Sequence, residues 1–394
     1  MRRFRFGSLS RLWDYLFPGG PSPLAKPGPN RYPRAAVKKP FGLSPFGPEL
    51  LEDRTVPDGR PLPLPFVFVG SGPGEAPLVR AYHADTGELA YERTPFAAGF
   101  RGGVRVAAGD IDHDGLPDLI AAAGPGAGPH IKVYSGADGT ELRSFYAYSG
   151  DFHGGIYVAA GDVDGDGVAD IITAAGAGAG PHVKVFSGID NRELASFYAF
   201  APHFRGGATV AAADFTGDGK ADLMVGAGPG GGSHIKVFDL NTGDRLPPPL
   251  GSFFAFDPSF RGGVDVGTDF LAGDVTADGT PDIVVGRGAG AGSLVRVFDG
   301  KTGAQVREFS PFGSAMTAGA RVSTAFVDDD RYADVIVGSG AGPTSTVKVF
   351  SGQTGLELAA PMSSYTPFGA GHTGGLFVGG SNDPPRGYVW QQYT

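Results

Sequence analysis

VAAGDIDHDGLPDLIAAAGPGAGPHIKVYSGADGTELRSFYAYSGDFHGG runs from Val106 to Gly155, and VAAGDVDGDGVADIITAAGAGAGPHVKVFSGIDNRELASFYAFAPHFRGG repeats it from Val158 to Gly207. The unit returns from Val210, around Val266 and, more degraded, from Val322. The first Asp of the shared loop falls at Asp110, Asp162, Asp214 and Asp274, with Phe326 in the fifth copy, at spacings of 52, 52, 60 and 52. The longer interval holds two four-residue insertions, one near Pro247 and one before Asp274, both in loops. A period of about 50 residues marks an architecture of stacked identical units.

Each copy holds four short apolar stretches divided by turn residues. In the second copy they are Gly155–Ala160, Asp170–Ala174, His182–Phe186 and Glu193–Phe200. Stretches of four to eight residues between Gly, Asp and Asn predict β-strands joined by hairpins. Four antiparallel strands per repeat describe a propeller blade. The segment Phe66 to Phe96 matches strands two to four of a blade without its first strand, and Gly374 to Gly380 matches a first strand alone. These fragments predict a sixth blade completed from both ends, which removes exposed sheet edges. The expected fold is an all-β, six-bladed β-propeller of four-stranded antiparallel blades.

Composition agrees. The 394 residues include 67 Gly and 33 Pro, yet 41% are hydrophobic and 11% aromatic, too rich for a disordered chain. Gly and Pro cost roughly 1 and 3 kcal/mol in helix interiors, which argues against a helical bundle. The absence of Cys excludes disulfides, thiolate metal sites and Cys nucleophiles. Residues 1–62 carry eleven Lys/Arg and five Asp/Glu, a basic Pro-rich leader expected to be largely disordered, followed by the propeller over 63–394. The stretch MRRFRFGSLSRLWDYLF lacks the form of a secretory signal peptide, and Leu9, Leu12, Trp13, Leu16 and Phe17 fall on one face of a short amphipathic helix. No apolar run reaches the roughly 20 residues of a membrane span. The body after residue 62 carries 21 basic and 36 acidic residues, so a nucleic-acid-binding role is excluded.

The acidic loops account for that charge. The first reads Asp110, Asp112, Asp114, Gly115, Leu116, Asp118, and the second Asp162, Asp164, Asp166, Gly167, Val168, Asp170. This is D-x-D-x-D-G-x-x-D, an order suited to a hard cation. Carboxylates at positions 1, 3 and 5 converge, Gly at position 6 allows the sharp turn, and a backbone carbonyl serves at position 7. The acid at position 9 replaces the Glu that closes a longer helix-flanked loop. The third loop (Asp214, Thr216, Asp218, Lys220, Asp222) and the fourth (Asp274, Thr276, Asp278, Thr280, Asp282) put Thr at position 3, which keeps an oxygen and drops a charge. These two are expected to bind more weakly. In the fifth, Phe326 and Arg331 replace the first Asp and the Gly, so Asp328, Asp330 and Asp334 are expected to hold no metal. Four structural Ca²⁺ ions are expected. They relieve the repulsion among fourteen clustered carboxylates.

With its Gly-rich turn GAGAGPH (Gly176 to His182), the acidic loop resembles the FG-GAP/VCBS repeat family, whose calcium-loop blades also build the integrin α-subunit head. The resemblance covers residues 66 to about 380. It implies an extracellular or cell-surface protein of adhesion or scaffold type, monomeric, with a protein or glycan as ligand. Six copies in place of seven, and shorter repeats, mean that integrin-type ligand recognition is not implied. Glu49 to Pro57 (ELLEDRTVP) resembles a leader motif of large exported bacterial proteins, which agrees with an extracellular setting.

On the face opposite the acidic loops the repeat places His130, His182 and His234, read as hairpin-packing residues, and Phe100, Phe152, Phe204 and Phe260, read as wedges between blades. Arg101, Arg205 and Arg261 beside those Phe residues suit an acidic glycan or peptide if they stand together there. Catalysis calls for an asymmetric constellation. No G-x-S-x-G, H-E-x-x-H or Walker motif occurs, and no acid or Lys/Tyr cluster departing from the repeat stands out. A non-enzymatic binding module is expected, with a polysaccharide lyase or hydrolase as the alternative.

Overall fold

Within each repeat the side chains become more polar from the first strand to the fourth, and burial follows. In the second blade the strands are Ile156–Gly161, Asp170–Ala175, His182–Phe186 and Glu193–Tyr198, within two residues of the predicted bounds. The first two are Ala-, Val- and Ile-rich and buried at nearly every position, so both faces are packed. The third alternates, and the fourth is half exposed. Charge pairs cross from third to fourth strand at that edge, Lys132 with Glu141, Lys184 with Glu193 and Arg296 with Glu308, and in the fifth blade Lys348 meets Glu357 in the segment before the fourth strand, all at 2.6–2.7 Å. Charged edges discourage further strand addition.

The computed structural model describes residues 66–269, 273–328 and 330–380. It shows six four-stranded antiparallel sheets, and no helix among the described residues. The leader over 1–62, the helix expected over 9–17, the motif at 49–57 and residues 381–394 lie outside the described residues. The innermost strands are Val104–Gly109, Ile156–Gly161, Ala208–Ala213, Val264–Val266, Ala320–Ala325 and Leu376–Gly380. Each packs on the next, and the last returns to the first, so the ring closes. Leu376–Gly380 pairs antiparallel with Phe66–Ser71, with Val69 opposite Val378, which forms the composite sixth blade. The fold is a six-bladed β-propeller.

The core lies between blades. Ile120, Ile131 and Val133 of the first blade meet Ile156, Val158 and Ile171 of the second, and Phe152 wedges against this cluster. Val183 and Val185 of the second meet Val210, Leu223 and Val225 of the third. Each such side chain contributes roughly 1.5–3 kcal/mol when fully buried. The third residue of every innermost strand is Val: Val106, Val158, Val210, Val266, Val322 and Val378. All are at most 8% exposed, and they form a valine ring around the axis.

Two backbone ties join neighbouring blades. The turn between strands two and three is held by the following link, with Gly126 N donating to His153 O, Gly178 N to Arg205 O and Gly230 N to Arg261 O at 2.7–2.9 Å. This contact explains the crowding of Gly in both segments, since a Cβ on Gly155 would lie 2.7 Å from Gly124 C. At the other end the acidic loops are chained: Ala169 N donates to Asp110 O, Ala221 N to Asp162 O and Ala333 N to Asp274 O.

Candidate metal loops and channel mouth

The Asp-rich loops connect first and second strands and emerge at one end of the ring. Position 6 sits at φ of +86°, +88°, +83° and +90° in Gly115, Gly167, Gly219 and Gly279, the left-handed region that a side chain disfavours. The position-1 carboxylate organises the turn. Asp110 accepts from Asp114 N and Gly115 N at 3.1 and 2.9 Å, and Asp162 from Gly165 N and Gly167 N at 2.7 and 2.9 Å. The position-5 acid accepts the amide of position 7, from Leu116, Val168, Lys220 and Thr280 at 2.8–3.0 Å. Thr216 and Thr276 turn their hydroxyls toward Asp214 and Asp274.

Two loops gather three carboxylates with ligand atoms within 4.8 Å of one another: Asp110, Asp112 and Asp118, and Asp162, Asp164 and Asp166. Burial, then the neighbouring acids Asp114 and Asp166, raise the Asp112 and Asp164 carboxyls above the ordinary range. An all-oxygen donor set of this density fits a hard divalent cation, because each oxygen that accepts one amide keeps a further lone pair.

Position 9 has a role that its spacing did not reveal. Asp118 accepts Ile111 N through one oxygen and Gly136 N through the other, at 2.8 and 2.9 Å. Asp170 holds Val163 N and Gly188 N, Asp282 holds Thr276 N and Gly300 N, and Asp334 holds Val327 N and Gly352 N. Asp222 holds Phe215 N and Thr216 N. These carboxylates are at most 2% exposed. Burial pushes Asp118, Asp222, Asp282 and Asp334 up to about 7 and Asp170 to about 6. In four blades this Asp clamps the acidic loop to the third-to-fourth-strand turn of its own blade. The clamp persists in the fifth blade, where Phe326 is buried in the core between blades.

On the opposite face each repeated histidine serves its own hairpin. His130, His182 and His234 place Nε2 2.8–3.0 Å from Ser144, Ser196 and Ser252 Oγ. They stack on Tyr146, Tyr198 and Phe254 at 4.6–4.8 Å. Arg101, Arg205 and Arg261 are exposed, and Arg101 and Arg261 donate back to carbonyls of their own turns. None of the three lines the cavity at the centre of this face.

That cavity was not anticipated. It has a volume of about 160 Å³ and is lined by the second residues of the innermost strands: Arg105, Tyr157, Thr209, Asp265 and Arg321. The equivalent residue of the sixth blade, Phe377, does not line the cavity but lies against both arginines, its ring 5.2 Å from Arg105 and 5.4 Å from Arg321. Tyr157 covers Arg105 from 4.2 Å. Arg105 is 7% exposed, and its Nε and Nη1 have no hydrogen-bond partner among the described residues. Asp265 Oδ2 accepts Val322 N at 2.9 Å, and burial outweighs Arg321 and Arg105 in pushing its carboxyl up to about 6. The signal lay in the aligned copies. Just before the constant Val, this position changes identity from blade to blade.

Family comparisons match two segments. Residues 110–173, from the first loop through the second, match an FG-GAP-like repeat, and residues 206–238, spanning the third loop, match an FG-GAP repeat. The chain carries FG-GAP repeats. A search of curated proteins finds no match. Among solved structures, the FG-GAP ring is similar to a protein of unknown function from Bacteroides caccae, at 14% identity and TM-score 0.45, covering 81% of this chain and all of that one. A rhamnogalacturonan lyase from Bacillus licheniformis gives 15% identity and TM-score 0.41, over 74% of this chain and 63% of that one. The Vibrio cholerae biofilm matrix protein Bap1 gives 18% and 0.35, over 69% and 41%. Among the described residues no helix is long and apolar enough to cross a membrane.

Proposed function

We propose that this FG-GAP propeller is a calcium-braced binding module of the extracellular space or cell surface, of adhesion or scaffold type. The observation that carries this reading is the convergence of three carboxylates within 4.8 Å in each of the first two loops. Asp110, Asp112, Asp114 and Asp118, and Asp162, Asp164, Asp166 and Asp170, would hold the ion together with the Leu116 and Val168 carbonyls. Asp214, Thr216, Asp218 and Asp222, and Asp274, Thr276, Asp278 and Asp282, with the Lys220 and Thr280 carbonyls, would form weaker sites. The ion supplies positive charge where like charges crowd. Because Ala169 and Ala221 tie one loop to the next, bracing one loop stiffens its neighbour.

A thermal melt in about 2 mM CaCl₂ and in excess EGTA tests the reading. Sites of the extracellular class bind at roughly 0.1–1 mM, so each occupied loop adds about 0.7–1.8 kcal/mol and the midpoint rises by several degrees. Coincident melts would refute it. The alternative, an enzyme acting on polysaccharide, draws on the asymmetric residues of the channel mouth. Release of new reducing ends from an acidic polysaccharide, lost on Tyr157→Phe, would favour it.

A further inference from the structure

The channel mouth departs from the repeat, and its chemistry defines what fits it. Two guanidinium groups face one carboxylate, which leaves one positive charge to be matched. Arg105 is held in place by Tyr157 on one side and Phe377 on another, and two of its buried donors lack acceptors. A charged donor desolvated without a partner is costly, and an entering anion removes that cost. Asp265 offers the opposite requirement, an acceptor beside the arginines, so the matching ligand carries hydrogen-bond donors next to its anionic group. Sulfate and phosphate lack such donors when fully ionised and bring a second negative charge against Asp265. A carboxylate on a hydroxylated ring meets both needs: the carboxylate suits guanidinium groups, and the hydroxyls suit Asp265. Size agrees, since about 160 Å³ is the space of roughly five liquid water molecules, enough for one sugar ring. The valine ring lies next along the axis from these residues.

We propose that Arg105, Arg321 and Asp265, framed by Tyr157 and Thr209 and with Phe377 against the arginines, form a site for a single sugar-acid unit at the channel mouth. This deepens the binding-module reading by naming a ligand class and rests on it, but it does not depend on calcium.

The experiment is calorimetric titration of the full chain with sodium glucuronate and galacturonate, alongside glucose and sodium acetate, in calcium-containing buffer. A sugar acid is expected to bind at least about tenfold more tightly than either control, and Arg105→Met and Arg321→Met each to weaken it about ten- to hundredfold. Asp265→Asn is expected to weaken the sugar acids and leave acetate unchanged. Tighter binding of a uronate trisaccharide assigns the site to a polymer end, and equal binding assigns it to a free sugar acid. Amide chemical-shift mapping on the wild-type chain covers the case of a variant that does not fold. Shifts confined to the innermost strands around Tyr157, Thr209 and Asp265 support the site. Sugar acids that bind no better than glucose, shifts elsewhere, or unchanged binding in both Arg variants would overturn it. The calcium melt is scored separately, so the site and the calcium-braced scaffold fail independently.

Discussion

Replacing Asp170 by Ala removes the clamp of the second blade and leaves Val163 N and Gly188 N, previously held at 2.9 and 3.0 Å in buried surroundings, without an acceptor. Each stranded buried amide costs roughly 1–3 kcal/mol, so the variant should lose about 2–6 kcal/mol. Asp170 stands in a loop read as a calcium site, so the measurement is denaturant unfolding in excess EGTA, where metal contributes nothing. The fifth blade supplies an internal control. Asp334 holds Val327 N and Gly352 N in the same way, at 3.1 and 3.0 Å, but its loop has Phe326 in place of the first Asp. Asp334→Ala should therefore cost about the same as Asp170→Ala in EGTA, and calcium should leave that cost unchanged. A loss below about 1 kcal/mol for both variants without metal would refute the clamp and return position 9 to a purely ligating role.

Asp265→Asn should stabilise the protein at neutral pH. Burial raises the native carboxyl to about 6 from 3.8, so its favourable contribution is complete below about pH 4 and is lost as pH rises through about 6. The gain at pH 7 has a ceiling of about 3 kcal/mol because the group is partly exposed, and it should vanish below pH 4 in a pH series of melts. Thr216→Asp should tighten calcium binding in the third loop by restoring the missing charge, read by calorimetry against wild type. Phe326→Asp should fail to create a fifth site and cost about 3–5 kcal/mol, as for truncation of a buried Phe, because the ring fills the core between blades.

The blade count, the strand bounds and the split blade were legible because the chain repeats itself, and FVFVGS at Phe66–Ser71 and LFVGG at Leu376–Gly380 are complementary pieces of one unit. The Asp loops were legible for the same reason. Two features were not. The clamp at Asp118 and its counterparts depends on amides such as Gly136 N, 18 residues away, and main-chain partners leave no trace in side-chain spacing. The channel mouth has no repeating trace, because Arg105, Tyr157, Asp265 and Arg321 occupy a shared position that holds a different residue in most blades. Position on the ring brings them together, and only closure of the ring makes them neighbours. The repeated Arg101, Arg205 and Arg261 were conspicuous in sequence, yet the central cavity is lined without them.

The composite blade has a mechanical consequence. Its two terminal strands run antiparallel, with Val67 opposite Gly380, so the chain enters and leaves the ring at the same end of one hydrogen-bonded ladder. Tension applied through the two flanks would load that ladder one bond at a time, from Val67 and Gly380 inward, rather than all bonds together in shear. Such a ring would part like a zipper at low force when stretched between its flanks. When anchored through one flank and loaded at a blade face, it would transmit the load through the whole closed circle.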